Sequence, residues 1–153
     1  MITIAQESPL QPELSDLMAR HSEAMHADTP PESIHMLDPA ALADPAVSFF
    51  VMREDGRPIG MGAVKRFGVA QGEIKSMHVL SEWRGRGLAR RMLDHLVAEA
   101  RAAGMHRLSL ETGTQDSFLP ARTLYESAGF VACPPFADYQ ADPMSAYMAL
   151  SLA

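Results

Sequence analysis

Cysteine is almost absent from this chain. Cys133 stands alone, so no internal disulfide can form, and a reducing cytoplasm is the expected setting. Cys133 itself reads as a small apolar filler beside a strand before it reads as a nucleophile. Long apolar runs are missing too. The opening MITIAQESPL has neither a basic n-region nor an apolar h-region, and no later run approaches the roughly 20 residues that span a bilayer. Neither secretion nor membrane insertion is expected. Positive charge is also scarce: 13 Lys and Arg against 19 Asp and Glu leave a formal charge of −6, which argues against a general nucleic-acid surface and mildly favours a cationic substrate. His21, His26 and His35 lack Cys or carboxylate partners at ligand spacing, so no metal is expected. There is no internal repeat, low-complexity tract or linker.

What is present is ordinary globular composition. Of 153 residues 47% are hydrophobic and 21% charged, which fits a single domain over residues 1–153 with a real core. Ile2 and Ile4 alternate with polar neighbours and predict a short strand. Leu14, Leu17, Met18, His21 and Met25 recur at helical steps after Pro12. Asp38 is placed to cap a short helix over Pro39 to Leu42. From Val47 the pattern changes to a meander: Val47 to Met52, a turn at Asp55-Gly56, a return over Ile59 to Phe67, and a strand from Glu73 to Leu80. Leu88, Met92, Leu93, Leu96, Val97 and Ala100 define one face of a helix from about Gly87 to Ala103, stopped at Gly104. Arg107 to Thr112 alternates as a strand, so Glu73 to Thr112 forms a strand, helix, strand unit with a parallel crossover. A helix over Leu119 to Ser127 and strands near Phe130 and from Met144 to Leu150 close the chain.

The segment WRGRGLARRM, Trp83 to Met92, sets glycines and arginines at the start of the most clearly periodic helix. A helix N-terminus leaves N–H groups without intrahelical partners and carries about half a positive charge, so it can hold an anion. Gly85 and Gly87 would clear side chains from that approach, and Arg84 and Arg86 would add charge around it. The chemistry suggested is a pyrophosphate cradle; a Gly-rich turn with solvated arginines is the plainer alternative. A P-loop would need Gly-Lys followed by Ser or Thr, which is absent. A dinucleotide fingerprint would need Gly or Ala where Arg90 stands.

Arg84-x-x-Gly87-x-Ala89 resembles the Arg/Gln-x-x-Gly-x-Gly/Ala signature of the GNAT superfamily of acetyl-coenzyme A dependent N-acetyltransferases. Met77-His78-Val79 before the loop, the long helix, and Leu124-Tyr125-Glu126-Ser127-Ala128-Gly129-Phe130, similar to the family's Leu-Tyr-x-x-x-Gly-Phe block, extend the likeness from about Val47 to Phe130. The resemblance implies a mixed α/β acyl-coenzyme A N-acyltransferase fold: a central, mostly antiparallel sheet, a parallel splay between its fourth and fifth strands, and helices on both faces. It implies acetyl-coenzyme A as cosubstrate, bound by Met77, His78, Val79 and the loop Arg84, Gly85, Arg86, Gly87, Leu88 and Ala89, with no metal. The Val79 N–H is expected to polarise the thioester carbonyl. Tyr125 resembles the tyrosine that relatives place at the cofactor sulfur, to protonate or orient the thiolate; the alternative is a core aromatic. Glu73 resembles a glutamate used as general base through water; the alternatives are an exposed strand-end carboxylate, or Glu111 as the base. Phe118 stands where the family often carries a cofactor-contacting Asn, which puts that contact in doubt.

Direct acetyl transfer to an amine, of a small molecule before a protein, is therefore expected, with a non-catalytic acyl-coenzyme A binding module as the alternative. Phe136, Asp138, Tyr139 and Asp142 either wall the acceptor pocket or belong to a surface loop ordered by Pro134, Pro135 and Pro143, and His78 could line the acceptor cleft. PFADYQADPMSAYM resembles a bacterial subgroup labelled indoleacetic acid acetyltransferase-like. Homodimers are common among relatives, and the C-terminal strand offers an edge.

Overall fold

The computed structural model describes residues 1–152. Its elements run β1 (Ile2–Gln6), α1 (Ser15–Asp28), α2 (Pro39–Leu42), β2 (Val47–Glu54), β3 (Arg57–Phe67), β4 (Gln71–Val79), α3 (Leu88–Ala102), β5 (Arg107–Gly113), α4 (Leu119–Ser127), β6 (Val131–Ala132) and β7 (Ser145–Ser151). The strands form one seven-stranded sheet in the order β1-β2-β3-β4-β5-β7-β6. Every neighbouring pair is antiparallel except β4 and β5.

Period-two alternation along β2 explains the layering. Phe49 and Val51 pack with Leu14, Leu17 and Leu42 on the α1 and α2 face, whereas Phe50 and Met52 pack with Met92, Leu93 and Leu96 on the α3 face. The sheet is thus buried on both sides, with helices on both, as the family resemblance implies. All six apolar residues expected on the long helix are buried. Gly62 on β3 lets that helix approach: a Cβ there would stand 3.0 Å from Met92 Cγ and 3.1 Å from Leu96 Cδ1. The Asp38 side chain accepts from the Ala41 N–H at 2.8 Å, the cap its position suggests.

Two local features shape the site. The parallel pairing of β4 with β5 covers only Gln71–Glu73 against Arg107–Ser109, after which the strands separate. Within β4, Ser76 takes a left-handed φ of 55° and the register against β3 slips between Met61 and Ala63, so β4 bulges where it has left β5.

Candidate functional site

At the N-terminus of α3 the work falls to the main chain. Gly85 and Gly87 have φ of 78° and 74°, conformations that L side chains rarely adopt. A Cβ at either would meet no atom within 4 Å, so the glycines are required by the path of the backbone and leave open space in front of it. Gly87 caps α3 without any side-chain hydrogen bond, and the first N–H taken up within the helix is that of Arg91, to the Gly87 carbonyl at 3.2 Å. The arginine side chains are turned elsewhere. Arg84 Nε donates to the Val79 carbonyl at 3.2 Å, and the Arg86 guanidinium lies 4.5 Å from the centre of the Trp83 ring. The loop therefore offers N–H groups and a helix dipole to an anion, with its two arginines bracing the turn.

Where β4 leaves β5 there is a cleft of about 120 Å³, lined by Ser76 and Met77 on one side, Glu111 and Thr112 on the other, and Phe118 and Tyr125 from the α4 segment. Tyr125 is buried, its ring 5.8 Å from that of Phe130 and its hydroxyl 3.9 Å from the Met77 sulfur. Burial, with the Glu111 carboxylate nearby, pushes the phenol up to about 12. Burial likewise raises Glu111 above the ordinary carboxylate value. Ser76 Oγ is buried in this cleft without a hydrogen-bond partner. An orphaned hydroxyl in the splay and an uncapped, glycine-cleared helix start both fit a polar, pyrophosphate-bearing thioester lying from α3 into the cleft.

On the α1 and α2 face lies a second cavity of about 630 Å³, between the segment around His35 and the loop 137–143. Its buried end is a polar knot. Lys75 Nζ stands 3.2 Å from Glu73 Oε2 and donates to the His35 carbonyl at 2.7 Å and the Tyr139 hydroxyl at 2.8 Å. The Tyr139 hydroxyl in turn donates to Glu73 Oε2 at 2.5 Å. Burial and the adjacent Glu73 carboxylate push Tyr139 well above the usual phenol range, so it stays protonated. The two cavities share His35, Met36, Glu73 and Lys75, so they adjoin at this knot, and among the described residues Glu73 is the one acid that lines both.

Several expectations need correction. Glu73 is not an exposed strand-end carboxylate: it is 5% exposed and ion-paired. Asp138, Tyr139 and Asp142 line the larger cavity, but Phe136 does not; its ring stacks on Phe67 and supports Tyr139 from behind. His78 lines neither cavity. The bulge at Ser76 shifts the strand's phase, and His78 meets His21 of α1, with Nδ1 atoms 3.4 Å apart. Burial holds His21 down to about 4, and burial, with His21 and nearby arginines, holds His78 down to about 3, so both are neutral at pH 7. Sequence reasoning missed Lys75, whose only signal is its place two residues beyond Glu73 on the same strand face, and Ser76, which gave none.

The comparisons agree with this geometry. The model of the acetyltransferase (GNAT) family matches residues 12–130. The chain is 44% identical over 136 residues to the uncharacterized N-acetyltransferase YsnE of Bacillus subtilis, covering 89% of this chain and 90% of that one. It is 39% identical over 148 residues to a protein named IAA acetyltransferase from Azospirillum brasilense, covering 96% and 95%. The crystal structure of a Klebsiella pneumoniae protein described as an acyl-CoA N-acyltransferase superposes with a TM-score of 0.81 at 30% identity, covering 100% of this chain and 99% of that one. Sheet order, the single parallel splay, the glycine-cleared helix start and these matches lead to one conclusion: the chain belongs to the GNAT family of acetyltransferases and is an acetyl-coenzyme A dependent acyltransferase.

Proposed function

We propose that the chain transfers acetyl from acetyl-coenzyme A to the amine of a small molecule, with the two substrates entering from opposite faces of the sheet and meeting at Glu73. The observation that carries this reading is that Glu73 lines both the cleft and the larger cavity and, among the described residues, is the one acid that does. The N–H groups at the start of α3, in the loop Arg84 to Ala89, hold the pyrophosphate, and the separated edge of β4 through Met77 and Val79 lies along the pantetheine arm. The Val79 N–H polarises the thioester carbonyl.

An ammonium must lose a proton before it can attack. Glu73, directly or through one water, takes that proton, while Lys75 compensates the buried charge and the Tyr139 hydroxyl fixes the carboxylate's orientation. The freed amine attacks the carbonyl carbon; the C–N bond forms, the C–S bond breaks, and the second amine proton ends on sulfur. Tyr125 hydrogen-bonds the departing sulfur rather than surrendering its proton. With its phenol near 12, full transfer to a thiolate whose conjugate acid lies near 8.5 would cost about 5 kcal/mol.

The test is calorimetric titration with acetyl-coenzyme A, followed by thiol release over a panel of small amines and peptide N-termini. Saturable binding with release driven by small amines supports the proposal. Release driven only by peptides would move the acceptor to proteins, and binding without release by any acceptor would favour an acyl-coenzyme A binding module.

A further inference from the structure

We propose that the acceptor carries a carboxylate as well as an amine, and that Lys65 binds it; the acceptor is then an amino-acid-like zwitterion. The inference rests on reading the 630 Å³ cavity as the acceptor cavity.

The strand register places Lys65 on β3 directly across from Glu73 on β4, and Ala63 across from Lys75. Residues directly opposite each other share a sheet face, with Cβ atoms roughly 5 Å apart. Lys65, Glu73 and Lys75 accordingly line the same cavity. Their charges do not balance. Glu73 is compensated by Lys75, which is ion-paired to it at 3.2 Å and donates to the Tyr139 hydroxyl and the His35 carbonyl, so the Lys75 charge is already committed. Lys65 is half-buried and, among the described residues, makes no ion pair and no side-chain hydrogen bond. One cation is left over on the cavity floor.

Nearby acids do not neutralise it. Asp142 accepts from the Ser33 hydroxyl at 2.6 Å and from the Met144 N–H at 2.8 Å, which commits its carboxylate to holding the loop. Glu32 and Asp138 are exposed, at the rim. The cavity therefore shows an acidic mouth and a floor with one surplus ammonium. A simple amine would be drawn by the mouth and repelled by Lys65 beside the carboxylate it must reach. A zwitterion satisfies both: its ammonium goes to Glu73, and its carboxylate to Lys65 on the neighbouring strand, a separation that one small molecule can bridge. Met36 and the Tyr139 ring supply apolar lining for the body between.

The experiment uses matched pairs that differ only in the carboxylate: alanine with ethylamine, phenylalanine with phenethylamine, and 4-aminobutyrate with propylamine. Each is titrated calorimetrically into the full chain saturated with coenzyme A, in wild type, Lys65→Met and Lys65→Arg. The expected result is that at least one carboxylated member binds ten-fold or more tighter than its partner, about 1.4 kcal/mol, that Lys65→Met removes the difference, and that Lys65→Arg keeps most of it. Equal binding within every pair, no binding of any carboxylated member, or a preference that survives in Lys65→Met overturns the proposal. Thiol release from acetyl-coenzyme A with the same pairs separates the two claims. Lys65-dependent binding without release would sink the acetylation reading and leave the carboxylate site standing, whereas release favouring the plain amines would do the reverse.

Discussion

The two ends of this site are made of different material. The end at α3, where we propose that the cofactor binds, is main chain: left-handed glycines at 85 and 87, an uncapped helix start, and arginines that brace the turn with their side chains. The end proposed for the acceptor is side chains: Glu73, Lys75 and Tyr139 knotted together, with Lys65 beside them. A main-chain site tolerates many side chains and fails when the backbone path or the local charge changes. A side-chain site fails at single atoms, and it can change ligand without any change of fold.

Substitutions at each end should therefore fail in different ways. The largest effect is expected from Gly87→Asp, which forces a left-handed φ on a β-carbon residue and sets a carboxylate against the pyrophosphate. Acetyl-coenzyme A affinity should fall roughly 100-fold or more, about 3 kcal/mol, in a titration where the fold, followed by circular dichroism, persists. Glu73→Gln comes next: turnover should fall by about 10²–10⁴, with cofactor affinity unchanged. The same variant strands Lys75, so unfolding should become easier by up to about 3–5 kcal/mol, and adding Lys75→Met should restore part of that loss. If the double variant is less stable than the sum of the single changes predicts, the compensation assigned to Lys75 is wrong.

Tyr125→Phe should be milder, lowering turnover about 10-fold to 100-fold with near-native stability, because among the described residues the hydroxyl's one hydrogen-bond partner is the Met77 sulfur at 3.9 Å. The smallest effect at working pH, and the one furthest from the chemistry, concerns the His21–His78 contact. His21 titrates near 4 in the folded chain, below its unfolded value near 6.5. The unfolded chain thus takes up the proton first, and stability is fully present above about pH 6.5, falling as pH drops toward 4 by on the order of 3 kcal/mol. His21→Phe should make that acid limb of a thermal-melt series shallower, leaving the part carried by His78; an unchanged limb would mean that His21 does not contribute to it.

The same contrast explains what could be read from sequence. The glycine-cleared start of α3 was legible as structure because its parts are local: WRGRGLARRM carries glycine positions, helix start and periodicity within ten residues, and the strand, helix, strand order fixes the parallel crossover. Asp38-Pro39 was legible for the same reason. The acceptor end was only half legible. Glu73 and Tyr139 could be named singly, but their hydrogen bond joins residues 66 apart, and no periodicity encodes which carboxylate a distant phenol will meet. Lys65 became a candidate only once the register set it opposite Glu73. KSMHV reads as an unbroken strand, so the bulge at Ser76, and with it the turn of His78 toward α1, was invisible; it arises where β4 loses its β5 partner, a tertiary event.

The most direct test of a shared Glu73 between two separate substrate cavities is a paired measurement on Glu73→Gln: calorimetric affinity for acetyl-coenzyme A, and thiol release with an amine that the wild-type chain acetylates. The account predicts affinity within about two-fold of wild type and release reduced at least 100-fold. Release near the wild-type rate, or loss of cofactor affinity in step with activity in a folded variant, would contradict it.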